Sequence, residues 1–354
     1  MDNISILQLK PGYKLAKDVH TELGGLVLAK GTVLLPRDLE VLRAFLIQHV
    51  EIESEAGEGK GTVKKETVTN SAAAASSFEQ DYDKMIALTK AAFQSSVAAG
   101  VPILELRTQL ETLFKHLNKY NILTFQPYGM KEDDYRYHNA VTVSLTSYLL
   151  AQWSGLPQKD WMQVALAGLL HDIGNVKVDP LLLHKPAPLT QEEQEEIRQH
   201  TTYGYQLLKN AKAINEGVRL TALQHHEKVD GSGYPLGLDG TQIHTYAKVV
   251  SVADIFHAMT LEKAYRRAQS PYIVLEQLHT EAFGKLDPTT VQIFINKVTQ
   301  LSNGTKVRLS NEEIGEIVFV DRDHPTRPWI NVKGQIVNLT QQRNLHIKEI
   351  ITSS

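Results

Sequence analysis

The sequence predicts a mainly α protein carrying small β-rich modules at its two ends. Apolar residues recur at helical spacing across residues 78–302. Short alternating runs bounded by turn residues occupy residues 1–52 and 303–354. Between the first β-rich part and the helical part lies EAGEGKGTVKKETVTNSAAAASS, which has no aromatic and few large apolar residues. A stretch of that composition buries too little surface to offset chain entropy, so residues 53–77 read as a linker.

Within residues 1–52, LGGLVLAKGTVLL sets two apolar runs around Gly24-Gly25 and Lys30-Gly31, as a hairpin requires. The following LPRDLEVLRAFLIQHVEIE spaces Leu39, Leu42, Phe45 and Leu46 as a helix and ends in a β-like run. Residues 78–125 form connecting helices, with Met85, Leu88, Phe93, Leu106, Leu110, Leu113 and Leu117 near a 3.6-residue period and a break at Gly100-Val101-Pro102. This pair reads either as a stalk through which two copies dimerise or as helices packed on the main domain. In residues 126–302, VTVSLTSYLLAQW, DWMQVALAGLLHD, TQEEQEEIRQHTTYGYQLLKN, VRLTALQHHE and YAKVVSVADIFHAMT each read as one helix. Thr190 followed by Glu193 is the capping-box signature for the third. After Asn303-Gly304, KVRLS, IGEIVFV, WINV and IVNL are short strands of a terminal module. By position alone, the two terminal modules read as regulatory units or sites for protein partners.

Composition narrows the chemistry. With 37 basic against 40 acidic side chains and a net charge of −3, the chain has no general attraction for nucleic acid or anionic lipid, and no basic–aromatic stripe suits a nucleic acid. No apolar stretch of ~18 residues predicts a membrane span, and the first residues lack the apolar core of a signal peptide, so a cytoplasmic protein is expected. There is no cysteine, which excludes disulfides, thiolate metal sites and cysteine nucleophiles. A transition metal must therefore bind through His, Asp and Glu. Eight of the 14 histidines fall between His138 and His257.

His171-Asp172 ends an apolar helix, and neighbouring residues on a helix point ~100° apart, so the pair flanks a site rather than sharing a face. Alone, a His-Asp dipeptide is more often a surface or structural feature. His225-His226-Glu227 repeats the arrangement at the end of another apolar helix, where a solvated pair is the ordinary alternative. Asp230-Gly231-Ser232-Gly233-Tyr234-Pro235 specifies a rigid loop. Asp254 stands inside VVSVADIFHAM, where a buried carboxylate has to be paired, hydrogen-bonded or metal-bound. Taken with His200, these give four imidazoles and two carboxylates, a donor set suited to two adjacent divalent ions that activate a hydroxide and clamp a phosphoester.

The ordered set His171-Asp172-Ile-Gly, Lys185-Pro, His200, His225-His226-Glu…Asp230-Gly-Ser-Gly-Tyr-Pro and Asp254 resembles the HD-GYP family of HD phosphohydrolases, which hydrolyse cyclic di-GMP. The resemblance covers residues 120–302, and HHExxDGxGYP is long enough to be highly specific. It implies an all-helical HD-type phosphohydrolase core holding two or three divalent ions, iron or manganese first, with zinc, nickel or cobalt as alternatives. His171, Asp172 and Asp254 would hold one ion, with Asp172 bridging and His200, His225 and His226 holding the second. His171 and Asp172 would then be the catalytic pair, working through a metal-bridging hydroxide. Gly233, Tyr234 and Pro235 would line the pocket for a cyclic dinucleotide, with Lys185 and Arg266 contacting phosphate. The implied reaction opens cyclic di-GMP to linear pGpG and onward to GMP.

Several positions depart from the family pattern. Aligning Val143, Trp153, Gly155 and Leu156 puts Asn139 where the family has its first histidine, with His138 one place earlier as an altered ligand if the helix is locally shifted. Asn175 stands where a lysine usually follows HD-I-G, His257 replaces an aspartate, and Lys248 and Lys263 replace arginines. Two further readings follow. One is a degenerate domain that binds nucleotide or protein partners without turnover. The other is an enzyme for a different phosphoester.

Overall fold

A computed structural model describes residues 2–5, 13–20, 26–34, 42, 47, 49–52, 77–127, 130–131, 134–185, 187–262, 268–282, 284–300 and 304–351. The chain divides into two compact units, Met1–Ala72 and Ala73–Ser354.

In the first unit, β1 (Asp2–Ser5) pairs antiparallel with β4 (His49–Ile52), and β2 (Val19–His20) with β3 (Leu26–Leu28). Leu15, Val19, Leu34, Leu42, Val50 and Ile52 are buried together as a small core. The turn at Gly24-Gly25, most of the helix expected around Leu39–Leu46, and nearly all of the 53–77 linker lie outside the described residues.

The second unit is helical and closes with a sheet. Its first helices are α1 (Phe78–Ala99) and α2 (Ile103–Phe114). Ser77 caps α1 through a capping box with Gln80, and the break between the two falls at Gly100-Val101-Pro102. The apolar stripe Phe78, Tyr82, Met85, Phe93, Leu106, Leu110 and Leu113 is buried in the unit's own core. Then come α3 (Tyr135–Trp153), α4 (Gln158–Leu170), a 3₁₀ turn Ile173–Lys177, the single turn α5 (Pro180–Leu183), α6 (Gln191–Arg198), α7 (His200–Leu208), α8 (Glu216–Gln224), α9 (Thr245–Thr260), α10 (Pro271–Glu281) and α11 (Pro288–Val298).

One expectation is corrected. TQEEQEEIRQHTTYGYQLLKN forms two helices, α6 and α7, instead of one. The Gln199 N–H bonds the Glu196 carbonyl, a 3₁₀-type closure that ends α6 and lets α7 start at His200. The capping box of Thr190 and Glu193 does open α6.

The terminal sheet is antiparallel in the order β8-β7-β6-β5-β9, from β5 (Lys306–Leu309), β6 (Ile314–Phe319), β7 (Trp329–Val332), β8 (Gln335–Asn338) and β9 (Ile347–Ile350). Its last strand, IKEI, is one the alternation pattern did not single out. Val307, Leu309, Ile317, Ile330 and Ile347 are fully buried on one face and belong to the same core as the helices. Arg327 fastens the sheet to α10 by donating from Nη2 to Glu276 at 2.7 Å while Nη1 donates to the carbonyls of Leu339 and Leu345. No helix among the described residues is long and apolar enough to cross a membrane.

Candidate metal centre

Four elements of the second unit bring the site together. His171 and Asp172 follow the end of α4, His200 opens α7, His225 and His226 follow α8, and Asp254 lies in the middle of α9. Close backbone approach makes this convergence possible. A Cβ on Gly174 would stand 1.8 Å from the His200 carbonyl oxygen, so only glycine lets the turn after Asp172 press against α7. The Ser251 hydroxyl donates to the His225 carbonyl at 2.6 Å, tying the end of α8 to the helix that carries Asp254.

Three histidines are oriented in one way. Nδ1 of His171, His200 and His225 lies 2.7, 2.7 and 3.1 Å from the carbonyls of Gly168, Ile197 and Thr221. A carbonyl only accepts, so Nδ1 carries the proton and the Nε2 lone pair is left for the centre of the site. There, Asp172 turns Oδ1 toward His200 Nε2 (3.3 Å) and His225 Nε2 (3.5 Å), and Oδ2 toward His171 Nε2 (3.6 Å). Asp254 Oδ1 lies 3.4 Å from His171 Nε2 on the other side. Donor atoms of Asp172, His200, His225 and His226 all lie within 4.8 Å of one another, a grouping that could hold a metal ion.

The electrostatics favour a cation. Burial opposes a charge on His171, but the carboxylates of Asp172 and Asp254 outweigh it and raise its pKa to about 9. Burial likewise works against the ionised acids, and His171 nevertheless holds both Asp172 and Asp254 below the usual carboxylate range. Burial keeps His200 neutral, and burial reinforced by His225 and His200 keeps His226 neutral, so their lone pairs remain available. Two polar atoms in this region, His171 Nε2 and Asn139 Oδ1, are buried without a hydrogen-bond partner. Buried polar atoms are nearly always satisfied. A proton on His171 supplies the positive charge between the two carboxylates when no ion is bound; a divalent ion would displace that proton and take the Nε2 lone pair, and this donor set fits one.

The residues that depart from the family pattern separate by helix face. Asn139 enters the site, donating from Nδ2 to Asp254 Oδ1 at 3.0 Å. His138 points away from it, with Nδ1 3.0 Å from the Tyr82 hydroxyl of α1. His257, one turn beyond Asp254, is buried with Nε2 2.7 Å from Thr146 Oγ1, beside Tyr120. Lys185 is engaged elsewhere, with both oxygens of Glu193 holding its Nζ at 2.6 Å. Arg266 and Lys263 lie outside the described residues.

The Gly233-Tyr234-Pro235 loop folds over the histidines. The Tyr234 ring stacks on His226 with centroids 4.7 Å apart, and its peptide bond to Pro235 is cis. A Cβ on Gly233 would fall 2.3 Å from the Lys228 nitrogen, which fixes glycine there. Two residues in this region carried no expected role. Buried Glu227 accepts the N–H groups of Leu236 (2.7 Å) and Leu238 (3.0 Å) and so pins the loop. Its place in HHExxDGxGYP was the available signal. Arg198 sets its guanidinium 5.0 Å from the centre of the Tyr234 ring, a contact for which no sequence signal existed. His244, also without an expected role, caps α9 by accepting the Tyr246 N–H.

Residues 109–290, just over half of the chain, match the HD domain family. The chain belongs to the HD domain family. Within this HD domain the HD-GYP motifs are those just placed in space. The chain is 32% identical over 186 residues to cyclic di-GMP phosphodiesterase PA4108 of Pseudomonas aeruginosa, covering 52% of this chain and 45% of that protein. It is 35% identical over 155 residues to the cyclic di-GMP phosphodiesterase response regulator RpfG of Xanthomonas campestris pv. campestris, covering 43% and 41%. It is 32% identical over 171 residues to the 3'3'-cGAMP-specific phosphodiesterase 3 of Vibrio cholerae, covering 46% and 37%. The chain thus spans less than half the length of each of these three relatives.

Proposed function

We propose that this HD domain is a metal-dependent phosphodiesterase that opens a cyclic dinucleotide, cyclic di-GMP first, to linear pGpG and onward to GMP in the cytoplasm. The observation that carries this reading is the position of Asp172, one oxygen toward His200 and His225 and the other toward His171. His171, Asp172 and Asp254 would hold one divalent ion, iron or manganese first, and His200, His225 and His226 with Asp172 a second. A divalent ion so held supplies Lewis-acid polarisation of a phosphoryl oxygen and an acidified water at neutral pH. The chain's own residues do the rest. The backbone carbonyls at Gly168, Ile197 and Thr221 lock the three imidazoles as Nε2 donors. Tyr234, stacked on His226 and pinned through Glu227, forms the wall against which a nucleotide base packs. Its hydroxyl, whose pKa burial pushes up, stays protonated and able to donate to a phosphate or base edge. Arg198 offers a planar guanidinium suited to phosphate at the same rim.

Incubating the manganese- or iron-loaded chain with cyclic di-GMP, cyclic GMP-AMP and cyclic di-AMP tests this, with linear product from cyclic di-GMP fastest. No linear product from any of the three would overturn it. A second reading, a binding domain without turnover, is favoured by Asn139 in place of a histidine and by Lys185 being neutralised by Glu193. Saturable nucleotide binding with no product would select it.

A further inference from the structure

The two halves of the centre differ in donor chemistry, and Asn139 is the cause. On one side stand three imidazoles, His200, His225 and His226, with Oδ1 of Asp172. On the other stand a single imidazole, His171, the oxygens of Asp172 and Asp254, and Asn139, whose amide meets Asp254 through Nδ2. Imidazole suits borderline transition ions such as zinc, iron and nickel, whereas carboxylate and carbonyl oxygens suit manganese and magnesium. The second side also has its own competitor for a cation. The Asn139 Nδ2–H group already donates to the Asp254 oxygen that faces His171, occupying an electron pair that an ion would need. The same amide leaves Oδ1 buried without a partner. An unmet amide oxygen and two carboxylates call for a cation of oxygen-preferring type, bound after an amide hydrogen bond has been given up.

We propose that Asn139 makes the centre asymmetric: the His200–His225–His226 side retains one transition ion tightly, and the Asn139–His171–Asp254 side takes a harder divalent cation, manganese or magnesium, weakly and exchangeably. This rests on the reading of the cluster as a metal centre and does not depend on which substrate is cut. In the working protein, the two positions would then respond to different ions, and manganese supply would set how far the second is filled.

The test uses the full chain stripped with a chelator. After excess zinc and gel filtration, elemental analysis is expected to find one zinc per chain. Manganese added to that zinc-loaded protein is expected to bind once more, with an affinity at least about ten-fold below that for the retained zinc, as followed by loss of the free manganese spin-resonance signal. Asn139→His, which restores an imidazole and removes the amide donor, is expected to retain two zinc ions. His200→Ala is expected to retain less than one zinc while still binding manganese. Wild-type protein that retains two zinc ions overturns the proposal without reference to any variant. So does Asn139→His protein that has a wild-type circular dichroism spectrum and retains only one. Failure of the phosphodiesterase reading shows separately, as absence of product from protein with both positions filled.

Discussion

Glu227 holds Leu236 across the base of the loop, its Oε1 accepting the Leu236 N–H at 2.7 Å while Oε2 accepts that of Leu238. The carboxylate itself is buried. It lies next in sequence to His226, whose ring stacks on Tyr234, and it therefore couples the chain direction after the histidines to the position of the tyrosine wall.

Glu227→Ala removes the charged acceptor of two N–H groups, and a hydrogen bond to a charged group contributes about 1.5–3 kcal/mol. Urea unfolding is expected to show that loss. Glu227→Gln, which keeps one acceptor oxygen, is expected to lose about half as much. On the proposed function, in which the loop contacts nucleotide, KM should rise more than kcat falls in both variants, because the histidines are untouched. Equal stability of the Ala and Gln variants would remove this role.

Gly174→Ala places a methyl 1.8 Å from the His200 carbonyl oxygen and 2.5 Å from the Gly204 nitrogen, both backbone atoms that cannot swing aside. Overpacking of this kind costs about 1–3 kcal/mol. Since His200 must shift, the stabilisation that added metal confers should shrink as well. The check is the gap between thermal midpoints with manganese or zinc and with chelator, wide in the wild type and narrowed in the variant.

His257 gives an acid-sensitivity prediction. Burial lowers its pKa from the ordinary 6.5 to about 3. The unfolded state therefore binds a proton that the folded state refuses between these two values, and stability falls as pH drops from about 6.5 toward 3. The greatest slope one such group produces is about 1.4 kcal/mol per pH unit. His257→Asn is expected to flatten the pH dependence of the urea midpoint in this window while costing stability at pH 7 through the lost Thr146 contact. An unchanged slope would show that His257 is not responsible.

Arg327→Lys cannot reproduce the fork that reaches Glu276 and two carbonyls together. Hydrogen bonds to charged groups contribute about 1.5–3 kcal/mol, and a loss in that range is expected for Arg327→Ala, with Lys recovering only part of it. Hydrogen exchange should locate the change in β9 and α10, not around His200.

Legibility from sequence followed how local each feature is. The break at Gly100-Val101-Pro102 and the capping box of Thr190 and Glu193 depend on residues a turn apart, and the chain shows both. The split between α6 and α7 was not readable, because a polar run has the same pattern whether or not the helix bends at Gln199. At that break the start of α7 meets Gly174, a contact between residues 26 positions apart.

The same division runs through the site. By itself the sequence determined which donor atoms the protein owns: no thiolates, histidines paired with acids at helix ends, and a Gly-Tyr-Pro loop whose spacing is covalent. Tertiary structure decided which of those atoms meet. His138 and Asn139 are neighbours in sequence, yet one bonds Tyr82 and the other Asp254, because adjacent side chains on α3 leave it ~100° apart and packing chooses the face. Lys185 is basic in sequence and ion-paired in the fold, because the capping box of Thr190 turns Glu193 toward it from eight residues on. Residue type is written along the chain, but facing and pairing come from helix rotation and packing, which no local spacing specifies.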